Sequence, residues 1–139
     1  MTRYLLDTNV LSEPTKQRKD PEVMRRLADT EGQCVTAAPV WHELWHGCRR
    51  LAPGRRRREL EGYLADLAQS ELTILPYDTA AALEHSELRA LLEPLGIVTA
   101  PIDGQIASIA RSRGLTVVTR NVRHFEVFPG LPIENWFSD

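Results

Sequence analysis

The sequence predicts an α/β protein with a central, mostly parallel sheet that helices cover on both faces. Two observations support this fold class. Short apolar segments typical of buried strands alternate along the chain with longer segments of helical periodicity. No repeat, low-complexity tract or linker interrupts this alternation, so we expect a single domain over residues 1–139, a length typical of one domain.

The first half of the chain predicts two strands and three helices. Asp20 and Pro21 together form a helix-start signal, and Pro53-Gly54 separates two further helical segments. The apolar run that ends at Asp7 is typical of a buried parallel strand. The expected elements are strands over residues 4–6 and 34–36, a helix beginning at Pro21, and helices over about 39–51 and 55–69.

The second half continues the pattern, with Pro101 opening a helix that Gly114 ends. The expected elements are strands over residues 72–75 and 115–119, helices over about 78–92 and 101–114, and a short edge strand near 131–133. In a parallel sheet, ligands bind beyond the carboxyl ends of the strands, where the strand order reverses. We therefore expect the functional residues where strands end.

The composition excludes two classes of protein. No apolar run approaches the roughly 18 residues that a membrane span needs, and the first residues lack a signal-peptide hydrophobic region. We therefore expect a cytoplasmic protein without a membrane role. Cys34 and Cys48 have no metal-binding spacing and are interpreted as core residues of a protein from a reducing compartment.

The net charge of −2 provides no overall positive field, so any attraction of nucleic acid must come from local clusters. Arginines concentrate at Arg49, Arg50 and the run 55–58. For that run, a solvated helix face is favoured over contact with RNA or a protein partner. Arg49, Arg50 and Arg120 remain candidates for RNA contact.

Three carboxylates stand out by position. Asp7 directly follows the first strand, whereas Glu43 and Asp103 border the apolar faces of two predicted helices. Ionised side chains there would lose solvation and repel one another unless a cation lay between them. Oxygen ligands of this kind suit Mg²⁺ or Mn²⁺. Each of the two aspartates also has a simpler interpretation, Asp7 as a helix cap and Asp103 as a charge near a helix N-terminus.

The same residues resemble the PIN-domain family, in particular the ribonuclease toxins of VapC- and FitB-like toxin–antitoxin modules. The resemblance covers nearly the whole chain, in the family's order and spacing. Residues 4–10 resemble the family's opening strand and first aspartate, and residues 43–47 resemble its glutamate–leucine–x–x–glycine helix. Residues 103–110 match its aspartate–x–x–isoleucine–alanine segment, and residues 115–125 resemble its final strand and loop.

This resemblance implies an α/β/α sandwich and Mg²⁺-dependent endonucleolytic cleavage of RNA, with Mn²⁺ as a substitute. It also implies a homodimer that a cognate antitoxin inhibits. Asp7, Glu43 and Asp103 would be the catalytic, metal-holding residues, and Thr8 and Asn9 would orient Asp7 by hydrogen bonds. Ordinary turn or capping roles for Thr8 and Asn9 fit the sequence equally well.

The chain departs from the family pattern at one position. Many members carry a fourth acid in the loop after the last strand, where this chain has Asn121 and His124. Asn121 can still offer its side-chain oxygen to a metal-bound water, or it can be an ordinary turn residue. His124 is favoured as a surface residue. A neutral fourth position would weaken metal binding, so we expect activity to need high Mg²⁺ or to favour Mn²⁺.

Two other functions are compatible with the sequence. Residues 42–46 match the HExxH pattern of zinc metalloproteases, although Arg49 occupies the glycine position of that motif's longer form. Helical phase places His42 and His46 on a polar, solvent-facing stripe, which argues against a zinc site. The second alternative is a non-catalytic PIN-like binding module. Trp41 and Trp45 are favoured as core residues, and would be candidates for a dimer surface if exposed.

Overall fold

Five parallel strands form a single sheet in the computed structural model, which describes residues 1–139. The strand order is β3-β2-β1-β4-β5, and every neighbouring pair is parallel. The strands are β1 (Tyr4–Leu6), β2 (Cys34–Ala37), β3 (Thr73–Leu75), β4 (Thr116–Val118) and β5 (Ile133–Glu134). The predicted fold class is confirmed, and the expected edge strand near residues 131–133 is also parallel.

Seven α-helices connect and cover the strands. The sequence predicted five of them but missed the first and last, which are only four and five residues long. The helices are α1 (Thr8–Leu11), α2 (Pro21–Asp29), α3 (Ala38–Arg49), α4 (Arg55–Gln69), α5 (Thr79–Leu92), α6 (Pro101–Arg113) and α7 (Val122–Glu126). Short 3-10 turns at 13–15 and 93–95 extend α1 and α5. No helix is long and apolar enough to span a membrane.

The strand order reverses at β1, and this position determines where a site can form. The chain moves outwards from β1 through β2 to β3, then crosses to β4 on the opposite side of β1. Right-handed crossovers therefore place α1–α4 on one face and α5–α7 on the other, which gives the α/β/α sandwich. The carboxyl ends of β1 and β4 lie side by side, with Leu6 paired to Val118. A crevice at this reversal is the expected ligand position.

The core lies on both faces of the sheet. All three residues of β1 are buried, and Trp136 near the C-terminus packs edge-on against Tyr4 with ring centroids 5.2 Å apart. Cys48 is buried and Cys34 is half-buried, and neither forms a disulfide. Strand β1 is thus fixed from both sides, which holds the residue that follows it in a rigid position.

Gly104 of α6 lies against the His85 side chain of α5. A Cβ at this position would lie 2.5 Å from Nε2 of His85, whose Nδ1 shares a 2.8 Å hydrogen bond with the Tyr77 hydroxyl. We expect Gly104→Ala to lower the free energy of unfolding by about 1–3 kcal/mol, because the half-buried His85 ring must move.

The same substitution made in a His85→Ala background should raise stability by up to about 1 kcal/mol, since alanine is the better helix former. Urea denaturation of the two single variants and the double variant measures this change of sign. A destabilisation of equal size in both backgrounds would show that the His85 contact is not its cause.

Candidate active site

Asp7 lies at the strand reversal, directly after β1. Only 5% of the residue is exposed, and its backbone amide donates to the carbonyl of Val118 at 2.9 Å. One carboxylate oxygen accepts from the Thr8 amide at 2.8 Å, and the other accepts from the Thr119 hydroxyl at 2.7 Å. Burial raises the pKa of Asp7, while Thr119, Thr8 and the charge of His124 oppose this shift. Asp7 is therefore a desolvated carboxylate held in one orientation.

Thr119 joins the two strand ends and was not identified as a site residue from the sequence. Besides donating to Asp7, its buried hydroxyl accepts from the Asn121 amide at 3.0 Å and lies 3.5 Å from the amide nitrogen of the Asn9 side chain. Its place directly after β4, next to β1, is the signal that could have revealed it. Thr119 fixes Asp7 and the loop after β4 with respect to each other.

Of the two residues expected to orient Asp7 by hydrogen bonds, only Thr8 bonds it directly, in an interaction that also makes Asp7 the cap of α1. Thr8 bonds Asp7 only through its backbone amide, and its buried hydroxyl has no partner. The Asn9 carboxamide accepts from the Arg120 amide at 3.0 Å, so it braces the loop after β4. Asn9 acts on Asp7 only indirectly, through Thr119.

Glu43 projects from α3, the helix that follows β2. Its side chain is half-buried, and no hydrogen bond contributes to its pKa. Burial is the largest cause that raises the pKa of Glu43, and the charges of Asp7 and Asp103 raise it further. The charge of His42 opposes the shift. The two aspartates therefore act on Glu43 although each comes from a different segment of the chain.

Asp103 lies in the first turn of α6, and its side chain is 22% exposed. Burial raises its pKa, the charge of His124 lowers it, and Asp7 raises it. The His124 Nδ1 atom is 3.5 Å from Asp103 Oδ2. Asn121, in contrast, is exposed and uses its backbone amide to bond Thr119. The segment after β4 therefore brings His124 of α7, rather than the side chain of Asn121, next to Asp103.

Asp7, Glu43 and Asp103 form one electrostatic cluster, since the charge of Asp7 raises the pKa of both Glu43 and Asp103, and the charge of Asp103 raises that of Glu43. A divalent cation would relieve the cost of ionising them together, and oxygen donors suit Mg²⁺ or Mn²⁺. The unpartnered Thr8 hydroxyl and Glu43 both line an adjacent cleft of about 260 Å³. The donor chemistry therefore fits a metal.

The carboxylates do not meet around one point in this structure, because no three His, Cys, Asp or Glu side chains are grouped closely enough to hold an ion. Metal binding would thus require the side chains to close up. Glu43 and Asp103 are the acids able to move, since neither side chain makes a hydrogen bond, whereas two hydrogen bonds hold the Asp7 carboxylate.

Among the arginines proposed to contact RNA, Arg120 is engaged within the protein. It pairs with Asp139 and lies 4.6 Å over the ring of Phe137. Arg49 lies 4.8 Å over the Trp45 ring, and Arg50 is exposed.

The arginine run at 55–58 is largely the solvated helix face that had been favoured. Three of its members pair with glutamates one turn along α4: Arg55 and Arg56 with Glu59, and Arg57 with Glu61. Arg56 also lines the cleft beside Glu43 together with Lys16, a pair of cations that sequence reasoning had not selected.

The two histidines of the HExxH pattern lie on the solvent side of α3. Their rings stack 6.1 Å apart, both residues are exposed, and no third ligand completes a metal-binding group. On the neighbouring stripe, Trp41 and Trp45 meet edge-to-face at 6.1 Å. Both tryptophans are half-buried: they pack against the core and still present surface to solvent.

Comparisons with known proteins agree with this geometry. The PIN domain family model matches residues 4–130. The chain is 35% identical to the tRNA(fMet)-specific endonuclease VapC of Salmonella typhimurium, over 98% of this chain and 99% of that protein. It is 33% identical to Toxin FitB of Neisseria gonorrhoeae, over 87% and 89%.

A crystal structure of DNA-bound VapBC from Salmonella typhimurium contains a chain that superposes with a TM-score of 0.82 at 35% identity. The match covers 98% of this chain and 99% of that one. The similarity therefore includes every segment that contributes to the acidic cluster.

Proposed function

This chain belongs to the PIN domain family, and we propose that it is a metal-dependent endoribonuclease acting as the toxin of a toxin–antitoxin pair. The observation that carries the proposal is the placement of a buried Asp7 at the strand reversal, where its charge acts on Glu43 of α3 and Asp103 of α6. Relatives of nearly the same length named as VapC endonuclease and Toxin FitB support the activity and the biological role.

Asp7, Glu43 and Asp103 are the proposed catalytic residues and would hold Mg²⁺, or Mn²⁺ in its place. Such an ion supplies Lewis acidity toward a phosphate oxygen and activates water for in-line attack. Thr119 holds the Asp7 carboxylate in place through its 2.7 Å hydrogen bond, and Asn9 and Asn121 brace the loop that carries Thr119.

The proposed RNA path runs over cations that share a cleft or a helix with Glu43. Lys16 and Arg56 lie in the same cleft as Glu43, and Arg49 and Arg50 lie at the far end of its helix. Contacts of this kind bind phosphates without regard to sequence and weaken as salt rises. Arg120 is a further candidate on the loop after β4, where it pairs with Asp139 as Lys16 pairs with Glu13 and Arg56 with Glu59.

Purified protein incubated with single-stranded RNA tests the activity. We expect cleavage with Mg²⁺ or Mn²⁺ and none with EDTA, and we expect Asp103→Asn to remove the metal-dependent cleavage. Undiminished cleavage in EDTA would contradict the metal-dependent mechanism. Absence of cleavage under all conditions, with RNA still bound, would favour the non-catalytic binding module.

The proposed partners are a cognate antitoxin and a second copy of the chain. Similarity to the VapBC structure supports the first, because VapBC proteins form a family of toxin-antitoxin systems. For the homodimer, the half-exposed Trp41 and Trp45 form the candidate surface, because exposed aromatic patches commonly mark interfaces. A second apolar surface lies on and after α5, where Leu83 and Leu91 are more than half exposed.

We expect the wild-type protein to sediment as a dimer at micromolar concentration and Trp45→Glu to be a monomer, because burying a charge without a partner is costly. Leu91→Glu on α5 is the matched control and should leave the dimer intact. If Leu91→Glu dissociates the dimer and Trp45→Glu does not, the interface lies on α5. A monomeric wild-type protein would contradict the dimer itself.

A further inference from the structure

His124 lies on α7, the short helix after β4, and its imidazole lies 3.5 Å from the Asp103 carboxylate of the acidic cluster. Its backbone is well anchored, because the next residue, Phe125, is fully buried and packs beside Phe128 with ring centroids 6.3 Å apart. The imidazole itself is 61% exposed, so one side of the ring faces Asp103 and the rest is open. The fold therefore presents an accessible imidazole at the edge of the site.

The contact between His124 and Asp103 is not a hydrogen bond. Their Nδ1 and Oδ2 atoms are 3.5 Å apart, whereas charge-assisted hydrogen bonds measure about 2.7–2.9 Å. The influence of His124 also extends beyond this neighbour, because its charge acts on both Asp103 and Asp7. His124 Nδ1 therefore lies beside an oxygen of a proposed metal ligand without bonding it, and a movement that brought the acids together around a cation would bring this nitrogen to the same ion.

We propose that His124 supplies an imidazole nitrogen ligand to the divalent cation held by the carboxylates, and that this ligand favours Mn²⁺ over Mg²⁺. The inference rests on the proposed metal-binding role of those carboxylates. Mg²⁺ binds oxygen donors almost exclusively, whereas imidazole is a ligand of first-row transition metals. Mixed carboxylate and histidine sites occur in dimanganese proteins.

The role first favoured for His124, that of a surface residue, predicts no direct bond to the metal. Electron spin echo envelope modulation of bound Mn²⁺ distinguishes the two, because it detects ¹⁴N nuclei in the ion's coordination shell. We expect histidine ¹⁴N modulation in the wild-type protein and its loss in His124→Ala. His42→Ala is the matched control, since His42 also acts on an acid of the cluster, Glu43. The ¹⁴N modulation of Mn²⁺ bound to this variant should match that of the wild-type protein.

Metal affinity provides a second readout, measured by Mn²⁺ electron paramagnetic resonance and by calorimetry for Mg²⁺. We expect His124→Ala to weaken Mn²⁺ binding by about 10-fold or more, the scale on which residues around metal sites act, and Mg²⁺ binding by less than about 3-fold. His124→Asp should reverse the preference by replacing nitrogen with oxygen. Because the side chain is exposed, circular dichroism of these variants should match that of the wild-type protein.

The outcomes separate this inference from the proposed function. If Mn²⁺ binds and Asp103→Asn abolishes binding, but the wild-type spectrum lacks ¹⁴N modulation, His124 is not a ligand and the carboxylate site stands. Equal losses of Mn²⁺ and Mg²⁺ affinity in His124→Ala would overturn the proposed preference. If the wild-type protein binds neither ion, both this inference and the metal-dependent function are wrong.

Discussion

Asp7→Asn is expected to abolish metal-dependent RNA cleavage and, at the same time, to stabilise the metal-free protein. Asparagine keeps the shape of the side chain and removes its charge. We expect at least about a 100-fold loss of rate, the scale seen when one preorganised electrostatic group is removed from an active site. The fold should survive, because the asparagine carbonyl can still accept the 2.7 Å hydrogen bond from Thr119.

The stabilisation follows from the direction of the pKa shift. Burial raises the pKa of Asp7, so the folded protein binds this proton more tightly than the unfolded chain does. The resulting contribution to stability is fully present at low pH and is lost as pH rises through the raised pKa. Asp7→Asn cannot ionise, so its gain in stability over the wild-type protein should be absent in acid and appear near neutral pH.

Thermal unfolding in EDTA at pH 4 and pH 8 measures this difference. Asp66→Asn, an exposed change on α4, is the matched control and should change neither stability nor cleavage. Cleavage at the wild-type rate by Asp7→Asn would contradict the metal-site hypothesis. A loss of stability at pH 8 would instead show that the hydrogen bonds of the Asp7 carboxylate outweigh its desolvation.

The elements that the sequence predicted well are those with local signals. Asp20 caps α2 by accepting from the amides of Glu22 and Val23, and Gly114 ends α6 in the left-handed conformation. Helices α1 and α7 have no such periodic pattern, since each is little more than one turn. They form because strand ends and buried residues such as Val10 and Phe125 hold them in place.

The residues of the site also divide into those with a local sequence signal and those that depend on contacts between distant segments. The positions of Asp7 at a strand end and of Glu43 and Asp103 on two helices indicated an acidic cluster, and in the structure the charge of Asp7 raises the pKa of the other two. The hydrogen bond from Thr119 to Asp7 spans 112 positions, and no local pattern contains such information. His124 was considered only as a replacement for an acid, because its proximity to Asp103 depends on the path of the loop after β4.

Glu43→Gln is expected to lose most of the RNA cleavage, whereas the double variant His42→Ala with His46→Ala should stay within a few-fold of the wild-type rate. Glu43 makes no hydrogen bond that glutamine would break, so the change removes charge alone. The histidines face solvent, and only His42 acts on Glu43, whose pKa it lowers. Its loss should therefore cost little, by slightly favouring protonated Glu43.

The zinc-protease interpretation makes the opposite prediction for the histidines. If they held zinc, the double variant would lose the metal and all activity together. RNA cleavage rates and metal analysis of the purified proteins decide between the nuclease and the zinc-protease interpretations. Glu87→Gln, at an exposed position on α5, is the control for the removal of a carboxylate. Stoichiometric zinc in the wild-type protein, lost from the double variant along with activity, would overturn the nuclease proposal. We expect no zinc dependence, because α3 directs Glu43 toward the aspartates and leaves the two histidines on its solvent side.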